Sequence, residues 1–234
     1  MAERNFINIF IGINAYRTVY RFVNLDLENL QHQLQQRLAY PYKWGKKQND
    51  EWDAYTNFIY RFSDWNVVVE AMKATVEAYQ LDKRELFNYA ANRWFNFWSA
   101  MAVEQIFTEI EGVTPSINHK DRLVDFNLRG IDFDHKTSVF PSGFQQTLYY
   151  AQNHHEELLY WLYKNQSKQQ REHYENRLFI MVYAEDGEHW KLKAEIDLLK
   201  QCIQKYVSTF DASKLQQLQF NGNAIVSDII WAIK

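Results

Sequence analysis

Val124-Asp125-Phe126-Asn127-Leu128-Arg129-Gly130-Ile131-Asp132-Phe133-Asp134-His135-Lys136-Thr137 alternates apolar and polar residues around a turn. Val124, Phe126, Ile131 and Phe133 repeat at the period of a half-buried strand. Asn127 to Gly130 supplies the turn, so the stretch reads as a β-hairpin. Side chains alternate faces along a strand, so Asp132, Asp134 and Lys136 point the same way. Pairing Phe126 with Ile131 across a four-residue loop sets Asp125 opposite Asp132 on that face. Like charges placed opposite each other destabilise a sheet. A hard divalent cation such as Mg²⁺ takes carboxylate oxygens as ligands and removes that penalty.

Asp134-His135-Lys136 is the only acid-x-lysine triplet in the chain, and it follows directly on a turn that bears another acid. Asp125 followed by Asp134-His135-Lys136 resembles the Asp…(Asp/Glu)-x-Lys signature of the restriction-endonuclease-like, PD-(D/E)XK nuclease superfamily. The resemblance covers roughly Arg93 to Lys234. Val124 stands where a proline often precedes the first acid, and the step from Asp125 to Asp134 is nine residues. The resemblance implies a mixed sheet flanked by helices and Mg²⁺-dependent hydrolysis of DNA, with Mn²⁺ as a substitute. It implies that Asp125 and Asp134 hold the metal, with the backbone carbonyl of His135 as a further ligand. Lys136 would orient or deprotonate the attacking water.

Glu104 is the only charged residue between Trp94 and Thr108. It shares a helix face with Met101 and Phe107, where a lone carboxylate is costly unless something pairs with it. In the superfamily a glutamate from the helix before the hairpin often joins the active site, which makes Glu104 a catalytic and metal-binding candidate. A structural ion pair explains it equally well. Gln145 and Gln146, with Tyr149 and Tyr150 four residues on, echo a Gln-x-x-x-Tyr motif of some branches and make Gln146 a nucleic-acid contact.

The composition bounds the class. The chain has 234 residues, 47% of them hydrophobic, with eight Trp, fifteen Tyr and sixteen Phe. Such a chain folds around a real core. A mean hydropathy of −0.52 and the lack of any long apolar run exclude a transmembrane helix. Met1 to Asn5 shows no basic-then-apolar signal peptide. Cys202 is the only cysteine, so no intrachain disulfide and no cysteine zinc site forms. These features point to a cytoplasmic protein without a membrane partner. The net charge of −3 does not advertise nucleic-acid binding, although a local basic groove is compatible with it.

The first eighty residues read as a helical region, and residues 81–234 as the nuclease-like core. Phe6 to Val23 reads equally as helix or strand. Helices are expected over Leu25–Leu38, Asp50–Phe62 and Trp65–Gln80, with a break at Tyr40 to Lys47. Asp82 caps the next helix in a capping box with Glu85, and that helix runs to about Glu111. The hairpin occupies about Arg122 to Phe140. An amphipathic segment follows from Phe144 to about Tyr174, then a buried strand over Leu178–Tyr183, a helix over Ala194–Tyr206 and a last strand over Ala224–Ile233. The order gives an α/β or α+β core.

Lys43, Lys46 and Lys47 interleave with Tyr42 and Trp44, a pattern suited to phosphate contacts and base stacking. Lys164, Lys168, Arg171 and Arg177 form a second basic stripe. Adjacent His154 and His155 point about 100° apart on a helix and make a poor metal pair. No phosphate loop, nucleophilic serine motif or dinucleotide fingerprint is present. The expected protein is therefore a metal-dependent DNA endonuclease, for which double-strand cutting favours a homodimer. The alternative is a catalytically inactive nuclease-like scaffold that binds nucleic acid or a protein.

Overall fold

The first helix, α1, spans Leu27–Arg37 and opens where the Asp26 side chain accepts the Asn29 N–H at 3.0 Å. It belongs to a computed structural model that describes residues 24–116, 124–165 and 174–234. The element expected over Phe6–Val23, the hairpin start at Arg122, and Lys168 and Arg171 lie outside the described residues.

Helix α2 covers Asp50–Tyr55, and a 3₁₀ turn, Asn57–Tyr60, replaces the second half of the helix expected over Asp50–Phe62. Thr56 leaves helical geometry at φ −110°, and its Oγ1 bonds back to the Trp52 carbonyl at 2.7 Å. Helix α3, Trp65–Tyr79, is capped by Asp64 and ends at Gln80 in the left-handed region. Helix α4, Lys83–Thr108, starts at Asp82, whose carboxylate accepts the Glu85 N–H at 2.7 Å. The capping box closes one way only, because Glu85 turns its carboxylate to Lys46 at 2.8 Å. Helix α4 is buried nearly all round, as a central core helix is. Its Trp94 and Trp98 indoles donate to the Phe62 and Ile59 carbonyls, so their polar edges are satisfied.

Six strands form one mixed sheet in the order β1-β2-β3-β4-β6-β5. They are β1 Val113–Pro115, β2 Phe126–Leu128, β3 Ile131–Val139, β4 Arg177–Tyr183, β5 Gln216–Phe220 and β6 Asn223–Ile233. The first three run antiparallel, β3, β4 and β6 run parallel, and β5 returns antiparallel on β6. Strands β1 and β5 go beyond the sequence reading. The first is three residues with proline at its edge, and the second is mostly glutamine, a weak strand signal. The turn before Ala224 is Asn221-Gly222, both at positive φ, which is the two-residue hairpin that pairs β5 with β6.

Between β3 and β4 lie α5, Leu148–Asn153, and α6, His155–Asn165. The single segment expected there is broken at His154, at φ −134° and ψ 55°. Between β4 and β5 come a 3₁₀ turn, His189–Ala194, and α7, Ile196–Ser208. Strand β4 is buried on both faces, as its continuous apolar run requires. Leu178, Ile180 and Val182 pack into a core with α4 and α7, which also takes Leu30 and Leu34 of α1. Phe179 and Met181 pack on Ala151, Leu158 and Leu162 of α5 and α6. No helix among the described residues is long and apolar enough to cross a membrane.

The hairpin register differs from the expected one. Phe126 pairs with Phe133, and Leu128 with Ile131. The loop is therefore the two residues Arg129 and Gly130, at φ 49° and 93°. Arg129 is held in this unfavourable region by distant groups. Its guanidinium donates to the Val207 carbonyl in the last turn of the Ile196–Ser208 helix and to the Phe210 carbonyl just after it, and its N–H donates to Gly112. Gly130→Ala is expected to destabilise the fold by about 1–2 kcal/mol, since left-handed backbone penalises a Cβ. A melting curve unchanged from wild type would show that the turn relaxes freely.

Candidate active site

Strand β2 ends its pairing early, and this shapes the site. It covers β3 only as far as Phe133. Asp125, just before β2, closes onto β3 beyond that point. Its N–H donates to the Phe133 carbonyl at 2.9 Å, and its Oδ2 accepts the His135 N–H at 3.1 Å. The His135 ring follows Phe133 to the α4 side, beside the stacked rings of Phe107 and Phe126. Its Nδ1 lies 2.7 Å from Asp125 Oδ2, and both side chains are buried. His135 is packed on the face away from Asp134, and its backbone N–H also holds Asp125.

Asp134 and Lys136 alternate to the other side of β3. Asp134 is level with Arg177 of β4, whose Nε meets Asp134 Oδ2 at 2.5 Å. The guanidinium lies near two aromatic rings, 5.6 Å from the Tyr163 ring centroid and 5.7 Å from that of Phe179. Burial pushes the Asp134 carboxyl above the usual carboxylate range. Arg177 opposes that rise, and contact with the Asp125 carboxyl adds to it. The structure thus brings Asp125 together with Asp134, where the expected register set it against Asp132. Asp132 is exposed and bonded to Asn127 at 2.7 Å, so the acidic patch is two carboxylates and not three. The shorter turn is the reason.

Burial, with Arg177 nearby, lowers the Lys136 ammonium to about 8, against the pull of Asp134. Among the described residues this ammonium makes no hydrogen bond or ion pair. Glu104 is buried on α4, three residues before Phe107, whose ring stacks on Phe126. Among the described residues no three His, Cys, Asp or Glu side chains converge into a metal-holding group. The expected set of Asp125, Asp134 and Glu104 therefore does not meet at one point. Asp125 is turned to His135, and Asp134 to Arg177.

The nucleic-acid candidates are spread out. Lys46 is engaged by Glu85 and lies 4.2 Å over the Trp52 ring. Lys43 and Lys47 are exposed. The interleaved aromatics pack inward: Tyr42 stacks on Trp190, and Trp44 meets Tyr89 edge-on. Buried Arg37 pins this loop through the Tyr40 and Pro41 carbonyls and Asn92. Gln146 is exposed just before Thr147, the cap of α5, rather than on the helix. Arg177, expected in a basic stripe, is the partner of Asp134.

Two residues of this neighbourhood escaped the sequence reading. Asn176 ties three strands together, donating to the Asp132 carbonyl and accepting from Val226, while its own carbonyl takes the Asp134 N–H. Lys193, on the 3₁₀ turn packed against β3, is held down to about 8 by burial and by the Lys136 charge. Neither carries a local sequence signal. No family model, no curated protein and no solved structure matches this chain.

Proposed function

We propose that the protein is a restriction-endonuclease-like, metal-dependent DNA endonuclease. The observation that carries this reading is the meeting of Asp125 and Asp134 at β3, with Lys136, which makes no ion pair among the described residues, two residues on. The order helix, antiparallel meander, helix, parallel strand supports it too, because the resemblance implies that sheet.

The two carboxylates fit a hard divalent ion in donor chemistry. Mg²⁺ is commonly held by one or two carboxylates, with waters and substrate phosphates completing its shell. Asp125 and Asp134, with the His135 carbonyl, would hold it, and Mn²⁺ would substitute. Such an ion supplies Lewis-acid activation of the scissile phosphate and of the attacking water. The chain's own groups do the rest. His135 fixes the Asp125 carboxylate through its backbone N–H. Arg177 offsets the crowding of the two acids until the ion does so. Lys136 takes or orients the proton of the attacking water, and its positive charge offsets charge growing on the phosphate. Glu104, buried on α4, would position that water.

A second reading is a scaffold that binds nucleic acid or protein without cutting. The Arg177–Asp134 ion pair favours it, because it balances that acid without metal. Supercoiled plasmid incubated with Mg²⁺, with Mn²⁺ and with chelator separates the two. Cleavage in both metals and none in chelator is expected. Glu104→Gln, which keeps the size and removes the charge, is expected to fold and to cut far more slowly. A wild-type preparation that leaves plasmid intact in both metals rejects the endonuclease and leaves the scaffold.

A further inference from the structure

Strand β6 outruns the strand beside it. Its pairing with β5 covers Asn223 to Ser227, while its pairing with β4 covers Ser227 to Ile233. Residues 228–233 therefore have no strand on their β5 side among the described residues. Backbone groups along a strand alternate between its two sides. Lys234 gives its N–H to the Tyr183 carbonyl and accepts the Glu185 N–H, and Val226 gives its N–H to Asn176, so the even-numbered residues face β4. Ile229, Trp231 and Ile233 then turn their N–H and C=O groups to the open side. The Ile229 N–H is held there by the Asp228 carboxylate at 2.8 Å. The Ile233 side chain is 37% exposed, and Trp231 is half-buried. An open, apolar edge of this kind is a template for another strand.

The edge is complementary to itself. Antiparallel pairing of two β6 strands about Trp231 sets Trp231 opposite Trp231, Ile229 opposite Ile233, and Asp228 opposite Lys234. This register uses all three outward-facing residues, and the side chains agree with it. Ile229 lies on the face packed by α5 and α6, and Ile233 shares that face. Asp228 and Lys234 alternate to the other face, where opposite charges placed across two strands stabilise the pair. The acid stands three residues before Trp231 and the lysine three after, as a two-fold axis through that residue requires. Pairing would pass the Ile229 N–H from Asp228 to the Ile233 carbonyl of the second copy. Asp228 would then turn to Lys234 of the second copy and keep the Tyr206 hydroxyl, now at 2.9 Å from its Oδ2. Lys234, 3.1 Å from Glu195, is exposed enough to make the exchange.

We propose that the protein forms a symmetric dimer in which β6 pairs antiparallel with β6 of a second copy, joining two sheets into one. The main-chain bonds supply affinity, and the Asp228–Lys234 pairs fix the register. The dimer does not rest on the endonuclease reading. If both hold, the two Asp134–Lys136 faces lie on the same side of the joined sheet.

The test uses the full chain as wild type, Lys234→Glu and Ile233→Pro. Sedimentation equilibrium is run over a micromolar concentration series, with amide hydrogen exchange at its two ends. Wild type is expected to dimerise, and its Trp231 and Ile233 amides to exchange slowly only where the dimer is populated. Lys234→Glu should melt as wild type does when dilute and raise the dissociation constant about tenfold or more, since two facing pairs turn from attraction to repulsion. Ile233→Pro removes an outward N–H that pairs with nothing among the described residues, a place where an edge strand tolerates proline, and it should be monomeric. Should Ile233→Pro fail to fold, Lys234→Glu and the exchange data decide. A wild-type chain that is monomeric throughout the series overturns the proposal and leaves the edge to a strand of another protein. A dimer whose dissociation constant is unchanged by Lys234→Glu, or whose Trp231 and Ile233 amides exchange as fast as the monomer's, places the interface elsewhere and overturns it as well.

Discussion

Lys136→Ala is expected to fold and to lose plasmid cleavage by about 10²-fold or more, the scale of losing one transition-state stabiliser. The ammonium makes no hydrogen bond or ion pair among the described residues, so its removal breaks no contact and leaves no orphaned acid. Only the packing of its aliphatic stem is lost. Metal affinity should hold or rise slightly, because a positive charge near two carboxylates competes with a cation. Metal titration and plasmid cleavage on the same preparation check both halves. Cleavage at the wild-type rate would remove Lys136 from the chemistry and the mechanism with it.

Asp134→Asn is expected to abolish detectable cleavage and, in contrast to a simple relief of repulsion, to lower stability. Crowding by Asp125 alone argues that neutralising Asp134 should help the fold. The Arg177 contact at 2.5 Å reverses that expectation. Removing one partner of a fully buried pair strands the other, at about 3–5 kcal/mol when nothing replaces it, and this pair is less than fully buried, at 13% and 20% exposure. Asparagine keeps an oxygen acceptor for Arg177 and eases the contact with Asp125, so a smaller loss, on the order of 1–3 kcal/mol, is expected. Arg177→Met should destabilise more, since it leaves Asp125 and Asp134 facing each other. The double variant should recover part of both losses, because neighbouring sites that share one interaction are not additive. Denaturant melts of the three variants measure this coupling, and strictly additive losses would show that the pair is not an energetic unit. Mg²⁺ should raise the melting temperature of wild type and not of Asp134→Asn, since a ligand stabilises only the state that binds it.

Much of the architecture was legible because it is written locally. The strand period of Ile131 and Phe133 placed β3, and the apolar run of Leu178 to Tyr183 placed β4 as a strand buried on both faces. Asp64 and Asp82 sit where caps are needed, and the helices that follow begin one residue later. Strands β1 and β5 were not legible. Three residues ending in proline, and a run of glutamines around Leu218, become strands only because β2 and β6 offer them an edge. Helix breaks at Thr56 and His154 were missed for the same kind of reason, since neither residue is a strong breaker by itself.

The sequence by itself determined which side chains β3 presents, because alternation has a period of two and needs no partner. It therefore put Asp134 and Lys136 on one side and His135 on the other. Which acid meets Asp134 was decided only by the tertiary structure. Arg129 bonded to carbonyls at the end of α7 and just after it, 78 and 81 residues away, holds a two-residue turn and so slides Asp125 past Asp132 to Asp134. Arg177 arrives from β4, 43 residues on, and Lys193 from the turn after it. Contacts of this range depend on strand order and packing, for which no spacing along the chain is a signal.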